Sequence, residues 1–332
     1  MMRCPGCFKA EENTYCRICR KRLFDGQKVP FNLPFSRPDY DRQKLEVTAD
    51  RMSISGIQPK ILLALNDGRL EMVKSGGKYI LKPRPRGVFE RLEVAPINEH
   101  LTMQIARQVF GIDVADNALV AFQDGELAYL VRRFDVQSDG KRSLQEDFAQ
   151  IAARSEETHG KHYKYDCSYE EIGELIRKHV GTYKVDLERF FKLVVFNYLV
   201  NNGDAHMKNF SLIRNEQTGE YNLSPAYDLL NTRLHLPDES RTALELFKDG
   251  FETESYKANA YYAYDDFVVF AQKLGLVESR SKRILEHVIT AKQDVLSLIE
   301  CSMLPEECKQ LYSQHVEDRI RAFAYSFSGW LN

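Results

Sequence analysis

The residues best suited to chemistry in this 332-residue chain lie in one short run, Asn201-Asn202-Gly203-Asp204-Ala205-His206-Met207-Lys208-Asn209-Phe210. A second aspartate follows in Leu223-Ser224-Pro225-Ala226-Tyr227-Asp228-Leu229, set among apolar residues. Phosphoryl transfer asks little of a protein. A carboxylate orients the attacking hydroxyl and takes its proton, an amide and a second carboxylate hold Mg²⁺ on the phosphates, and a lysine neutralises the phosphates from the opposite side. Asp204, Asn209 and Asp228 have the order and types of the base, the metal amide and the metal carboxylate. Lys82, ending the predicted strand Tyr79-Ile80-Leu81-Lys82-Pro83, has the position of the phosphate lysine, and Glu99 on the next helix is placed to hold it. An Asp-x-x-x-x-Asn spacing alone is common by chance. The ordered set carries the weight.

A second chemistry sits at the N-terminus. Cys4-x-x-Cys7 and Cys16-x-x-Cys19 are four of the seven cysteines. Each pair presents two thiolates about a turn apart, which suits tetrahedral Zn²⁺. Four thiolates leave no open position for water, so the expected metal is structural. The total is odd and no secretion signal is evident, which argues against a disulfide framework. Arg17, Arg20, Lys21 and Arg22 beside the second knuckle read as a solvated face or as a surface for nucleic acid or an acidic partner.

The elements that must position these groups change texture along the chain. From about residue 52 to 133 the pattern is short strands at 60–65, 70–73, 79–81, 118–122 and 127–131, with one helix over 97–109. Asn66-Asp67-Gly68 and Gln123-Asp124-Gly125 carry hairpin chemistry. After about residue 140 helices dominate. Ser168-x-x-Glu171 is a capping box. Leu187, Phe190, Phe191, Val194, Val195, Tyr198 and Leu199 repeat at i, i+3, i+4, a strong buried helix face over 186–200 that runs straight into Asn201–Phe210. Further helices are expected at 265–274, 279–300 and 305–327. The expected fold is α+β: residues 1–30 a zinc-ribbon-like module, 31–135 a small β-rich lobe, 136–332 a larger all-α lobe. Between such lobes lies a cleft where ligands often bind.

Net charge is −2, which argues against a protein built to coat nucleic acid. No apolar run approaches the roughly 20 residues of a membrane span. Arg3 and Lys9 stand where a signal peptide needs apolar residues. The expected address is the cytoplasm, with no membrane partner.

These motifs together resemble the HipA family of bacterial toxin kinases, a divergent two-lobed protein-kinase fold. Asp204-Ala-His-Met-Lys-Asn209 is similar to the family's catalytic loop, Pro225-Ala-Tyr-Asp228 to its metal-binding segment, Ile80-Leu-Lys82-Pro to its phosphate lysine and Asn98-Glu99-His100 to the helix after it. Val131-Arg132-Arg133-Phe134-Asp135 resembles the interlobe hinge, whose backbone is expected to bind adenine. The family often has Glu where this chain has Arg132. The resemblance spans about residues 50–310. It implies ATP and Mg²⁺ as cofactors, with Val131, Arg132, Phe134 and His206 near the nucleotide, His206 mainly supporting the loop.

Ser53-Ile54-Ser55-Gly56 precedes the first strand pair. A small-residue loop entering a strand can lay backbone N–H groups over phosphates. In HipA-like kinases this segment, with Ser55 and Gly56 here, faces the phosphates and carries an autophosphorylated serine. The shorter HipT-like members carry a Ser-x-Ser pair, which Ser53 and Ser55 reproduce, and that subgroup is the nearer likeness. The resemblance further implies a translation-related protein substrate, such as an aminoacyl-tRNA synthetase. It implies a small antitoxin partner encoded nearby, with DNA met only through that antitoxin. Two other readings of the residues stay open: a small-molecule kinase with the same Asp/Asn/Asp set, and a non-catalytic zinc-containing regulator.

Overall fold

The computed structural model describes residues 3–10, 14–37, 59–137 and 139–326. Ser53, Ser55 and Gly56 lie outside the described residues. The first element after the cysteine knuckles is helix α1, Arg17–Phe24, capped by the Cys16 side chain. Five antiparallel strands follow: β1 Ile61–Asn66, β2 Arg69–Met72, β3 Tyr79–Pro83, β4 Asn117–Ala121 and β5 Leu127–Arg132, in the order β2-β1-β3-β5-β4. The β1–β2 hairpin closes through Asp67 and Gly68 with φ of 47° and 75°. Consecutive positive φ values give the turn whose twist matches the strands.

Helix α2, Ala95–Gln108, interrupts the sheet strands and starts with Pro96 in its first turn. It is buried over Ala95–Ala106, polar Asn98, Glu99, His100, Thr102 and Gln104 included. Those polar groups need partners, since a buried unpaired donor or acceptor costs about 1–3 kcal/mol. Most have them: His100 Nδ1 meets Asn117 Oδ1 at 2.7 Å and Gln104 donates to the same oxygen at 3.0 Å, while His100 Nε2 is buried without a partner. Thr102 Oγ1 lies 2.8 Å from the Tyr312 hydroxyl, far along the chain.

The second half is mostly helical. Short α3, Phe148–Ile151, and α4, Glu156–His159, precede α5, Tyr169–His179, and the long α6, Tyr183–Leu199. The expected capping box on α5 is present, with Ser168 and Glu171 exchanging hydrogen bonds. The apolar repeat of α6 is buried almost throughout. Helices α7 Glu254–Asn259, α8 Tyr264–Lys273, α9 Glu278–Thr290, α10 Lys292–Cys301 and α11 Glu306–Phe323 complete it.

Two details depart from the sequence reading. The larger lobe is not purely helical: β6 Gln145–Asp147, β7 Ser211–Arg214 and β8 Tyr221–Leu223 form a three-stranded antiparallel sheet. These strands are three or four residues long, too short for an alternation to register, and pairing across sequence fixes them. The expected helix 279–300 is two helices that meet at Ala291, whose ψ of 2° leaves the helical region. Thr290 just before it turns its hydroxyl back onto the carbonyls of Glu286 and His287, a contact that bends helices.

The cysteine segment packs directly on the five-stranded sheet. Cys4, Tyr15, Leu23 and Phe24 share a core with Leu63, Tyr79, Leu81 and Leu130. Tyr79 donates to Leu23 O at 2.6 Å and Tyr15 to Leu119 O at 2.7 Å.

Candidate active site

Helix α6 ends at Leu199 and delivers the polar run into the interior. Asn202 N donates to Asn197 O at 2.9 Å and its amide to Asn197 Oδ1 at 2.8 Å. Asn201 adopts φ of 56°, which turns the chain sharply. His206 N bonds to Asp204 O at 2.8 Å, Asn209 N to His206 O at 2.9 Å, and Tyr169 donates to Ala205 O at 2.9 Å. The loop is held by its own backbone before any side chain is considered. Met207 anchors it in the core at 0% exposure.

The second aspartate arrives from β8. Ala226 N donates to Asp113 O at 2.8 Å and its carbonyl accepts from Ala115 N at 2.9 Å, stitching this strand-like piece to the approach to β4. Asp228 follows with φ of 56°. Left-handed backbone in a non-glycine residue is uncommon and concentrates at functional sites. Asn98 on α2 locks the next turn: it donates to Asn231 O at 2.8 Å and accepts from Asn231 N at 3.0 Å.

Strand β3 and α2 bring the other half. Lys82 Nζ lies 2.6 Å from Glu99 Oε1 and also pairs with Asp228. Lys82 is 5% exposed and Glu99 3%. Burial pushes the lysine down, but the two carboxylates more than offset it and its pKa is raised. Burial lifts Glu99 to about 7, against the pull of Lys82. So the sequence-predicted Lys82, Glu99 and Asp228 form one buried cluster across the two halves.

Asp204 is 5% exposed. Burial raises its carboxyl to about 6, with Lys164 and the Tyr165 hydrogen bond pulling the other way. The Tyr165 hydroxyl donates to Asp204 Oδ1 at 2.6 Å, Lys164 Nζ stands 4.0 Å from the same oxygen and His206 Nε2 3.7 Å. His206 is driven by burial to about 3, so it is neutral and holds the loop rather than carrying charge. Behind the loop, Thr232 accepts from Gly203 N at 2.8 Å and pairs with the Glu239 carboxyl. Burial raises Glu239 to about 7. Neither Tyr165 nor Glu239 was foreseen. Each meets the loop only through the fold, and no local spacing announces it.

Lys82, Glu99, Lys164, Tyr165, His206, Asn209 and Asp228 line one cavity of about 940 Å³, and Asp204 is tied to that lining by Tyr165 and Lys164. Its lining includes the apolar Ile80, Ala115, Val131 and Phe134, the polar Lys82, Asn209 and Asp228, and Tyr163, Lys164 and Tyr165. The Phe134 ring stacks on Tyr227, centroids 5.8 Å apart. Asn209 Oδ1 is buried without a partner. An orphaned amide oxygen beside a carboxylate is a donor set that suits Mg²⁺. Arg132 also borders the cavity, but its guanidinium donates to Arg22 O at 2.8 Å and Asp25 Oδ1 at 2.8 Å, toward α1.

The cysteines are gathered too. The four sulfurs lie within 4.8 Å of one another, and Cys7 Sγ and Cys16 Sγ are 3.7 Å apart. Zinc–sulfur bonds of about 2.3 Å give a tetrahedron with edges of about 3.8 Å. Backbone N–H groups of Cys16 and Cys19 point at Cys4 Sγ and Cys16 Sγ, at 3.2 and 3.5 Å. A Cβ on Gly6 would lie 2.8 Å from Cys19 Sγ, so the loop closes only around glycine. Hydrogen bonds from Cys19 and Cys7 pull the Cys4 thiol down to about 2, and the hydrogen bonds to Cys4 and Cys7, with burial, push Cys19 up. The cluster could hold zinc, and these residues fit it.

Residues 52–296 match the model of the HipA-like C-terminal domain. A "Putative kinase" of Haemophilus influenzae is 29% identical over 86% of this chain and 85% of its own length. The serine/threonine-protein kinase toxin HipA of Shewanella oneidensis is 25% identical over 85% of this chain and 65% of its own length. Among solved structures, HipA from a Shewanella oneidensis complex of HipA, HipB and operator DNA superposes with a TM-score of 0.64 at 20% identity, covering 95% of this chain and 80% of that one. The Helicobacter pylori proinflammatory kinase CtkA superposes at 0.52 and 15% identity, covering 79% and 94%. Among the described residues no helix is long and apolar enough to cross a membrane. With the family model covering most of its length and its relatives named as kinases, the chain belongs to the HipA family of kinases.

Proposed function

We propose that this kinase transfers the γ-phosphate of ATP to serine or threonine hydroxyls of a protein, and that it does so as the toxin of a toxin–antitoxin pair. The observation that carries the reading is the convergence of Lys82, Glu99, Asn209 and Asp228 on one cavity, with Asp204 tied to the same lining by Tyr165 and Lys164. Adenine fits the apolar end against Ile80 and Val131, with the hinge backbone at 131–134 alongside. Lys82, held by Glu99, meets the phosphates. Asn209 and Asp228 would hold Mg²⁺, which neutralises charge on the phosphates when bound. Asp204 accepts the proton of the attacking hydroxyl, and His206 supports the loop. In this reading residues 1–30 form the metal module, 31–135 the nucleotide lobe and 136–332 the acceptor lobe.

Cys4, Cys7, Cys16 and Cys19 hold structural zinc. Ser53 and Ser55 receive phosphate from the enzyme itself. Lys60, a few residues after that segment in sequence, borders the cavity. A phosphate there adds roughly −1.5 to −2 charges and so inhibits. The substrate class is a translation-related protein, and the antitoxin is a small protein partner that brings DNA into the assembly. The cytoplasm is the site of action.

Calorimetry of Mg²⁺-ATP binding to the parent and to Asp228→Ala tests the nucleotide site: binding lost in the variant supports it, and equal binding sinks it. Intact mass and peptide mapping of the same two proteins test the serine loop. Phosphate on Ser53 or Ser55 in the parent alone is expected, and equal phosphate on both forms would overturn self-phosphorylation.

A further inference from the structure

The segment between α4 and α5 is unassigned by anything above. It carries Lys161-His162-Tyr163-Lys164-Tyr165 and forms one rim of the cavity. Its single turn, Tyr163–Tyr165, is tied back by Tyr163 N to Gly160 O and Tyr165 N to His162 O. Farther along, Arg154 spans Asp166 and Glu171 at 3.5 and 3.4 Å, fastening the segment to α5. The Tyr165 ring packs edge-on against His206, centroids 5.2 Å apart, and its position is thereby set from both sides.

Among the described residues, three side chains approach the Asp204 carboxyl, and all three meet the same oxygen. Tyr165 Oη, Lys164 Nζ and His206 Nε2 approach Oδ1. Of these only the phenol is at hydrogen-bond distance. A base that must accept a proton needs one oxygen facing the acceptor and a fixed side-chain rotation. We infer that Tyr165 is a positioning residue for phosphoryl transfer: its hydroxyl holds Oδ1 of Asp204 so that Oδ2 is the oxygen presented to the acceptor hydroxyl. The inference rests on Asp204 acting as the base. The proton leaves the acceptor hydroxyl for Oδ2, the acceptor's own oxygen forms the new bond to the γ-phosphorus, and the bond from that phosphorus to the bridging oxygen breaks, so ADP leaves with that oxygen. Tyr165 keeps its own proton throughout, since burial and the Asp204 charge raise its pKa.

A donor on Oδ1 also favours the ionised carboxylate. The charges around it are Lys164 on the rim, Asp228 across the cavity and Glu239 behind the loop, with neutral His206 beside it. Removing the phenol oxygen leaves all of these in place.

The test compares the parent, Tyr165→Phe and Asp204→Asn as full-length proteins. Dephosphorylated casein and the chain's own serines serve as acceptors for labelled ATP. Tyr165→Phe keeps the ring against His206, so the fold is retained. The expected result is a transfer rate constant lower by about tenfold in Tyr165→Phe, with Mg²⁺-ATP affinity unchanged. The acidic limb of its pH–rate profile should move up by about one unit, the size of one charge-assisted hydrogen bond. A rate and a limb equal to the parent's overturn the inference while Asp204→Asn inactivity keeps the site reading. A faster Tyr165→Phe also overturns it, because the phenol would then be blocking the acceptor. An active Asp204→Asn removes the base itself, and both readings fall.

Discussion

At the scale of single residues, the protein places its carboxylates in environments that separate their roles. Asp204 sits buried with its carboxyl lifted to about 6, close to the pH where a base works best. Only the ionised form accepts a proton, so transfer should rise as pH climbs through about 6 and fall away below it. A pH–rate profile with no acidic limb between about 5 and 7 would contradict that. Glu99 and Asp228 share Lys82 instead. Lys82→Met leaves two carboxylates facing each other in a buried site, and like charges raise a pKa. Glu99, already at about 7, should then take up a proton. The expected outcome is loss of ATP binding with a melting temperature that falls more at pH 8 than at pH 6; equal losses at both would argue that the pair carries no such coupling. Asp204, Asn209, Asp228, Lys82 and Glu99 were legible in the sequence because their order along the chain mirrors a set of chemical roles. Tyr165 and Glu239 were not, since a hydroxyl 39 residues from its partner carries no local pattern.

At the scale of elements, α2 and the cysteine segment brace the strand-rich half. Asn98 couples α2 to the turn after Asp228 by two hydrogen bonds to Asn231. Asn98→Ala leaves the Asn231 N–H buried and unpaired, at about 1–3 kcal/mol for such a group, while the Asn231 carbonyl keeps Leu234 N at 3.3 Å. We expect a stability loss of about 1–3 kcal/mol by urea unfolding, and slower transfer as Glu99 shifts away from Lys82. A change below about 0.5 kcal/mol would show that the contact does not hold the helix. The cysteine module is similarly joined, through Tyr79, Tyr15 and the Arg132 contacts to α1. One zinc per chain is expected by metal analysis. Cys16→Ser should lose it, and Gly6→Ala should weaken it, because its Cβ would crowd Cys19 Sγ. A parent protein free of zinc after purification without chelator would end this reading. The CxxC pairs and the main helices were readable from spacing and apolar period. The strands β6 to β8 and the break at Ala291 were not, because they depend on pairing and on one side-chain contact.

At the scale of the whole molecule, the two halves are tied by polar links rather than by apolar packing alone. Lys82 to Asp228 and Asn98 to Asn231 both cross from the strand-rich half to the helical half. The larger apolar core itself joins Ile97, Leu101 and Val131 to the residues of α6, so packing and polar links together frame the cavity of about 940 Å³. A β-rich half followed by a helical half was evident from the change of pattern near residue 140. That the cysteine segment shares a core with the sheet was hidden, because Cys4 and Leu63 are brought together only by the fold. The account stands on one claim, that Asp204, Asn209 and Asp228 transfer phosphate from ATP to protein hydroxyls. Phosphoproteomics of cells expressing the parent and Asp204→Ala at equal levels tests it most directly. The account predicts new phosphoserine or phosphothreonine sites on a protein of translation in the parent alone; identical phosphoproteomes in the two would contradict it.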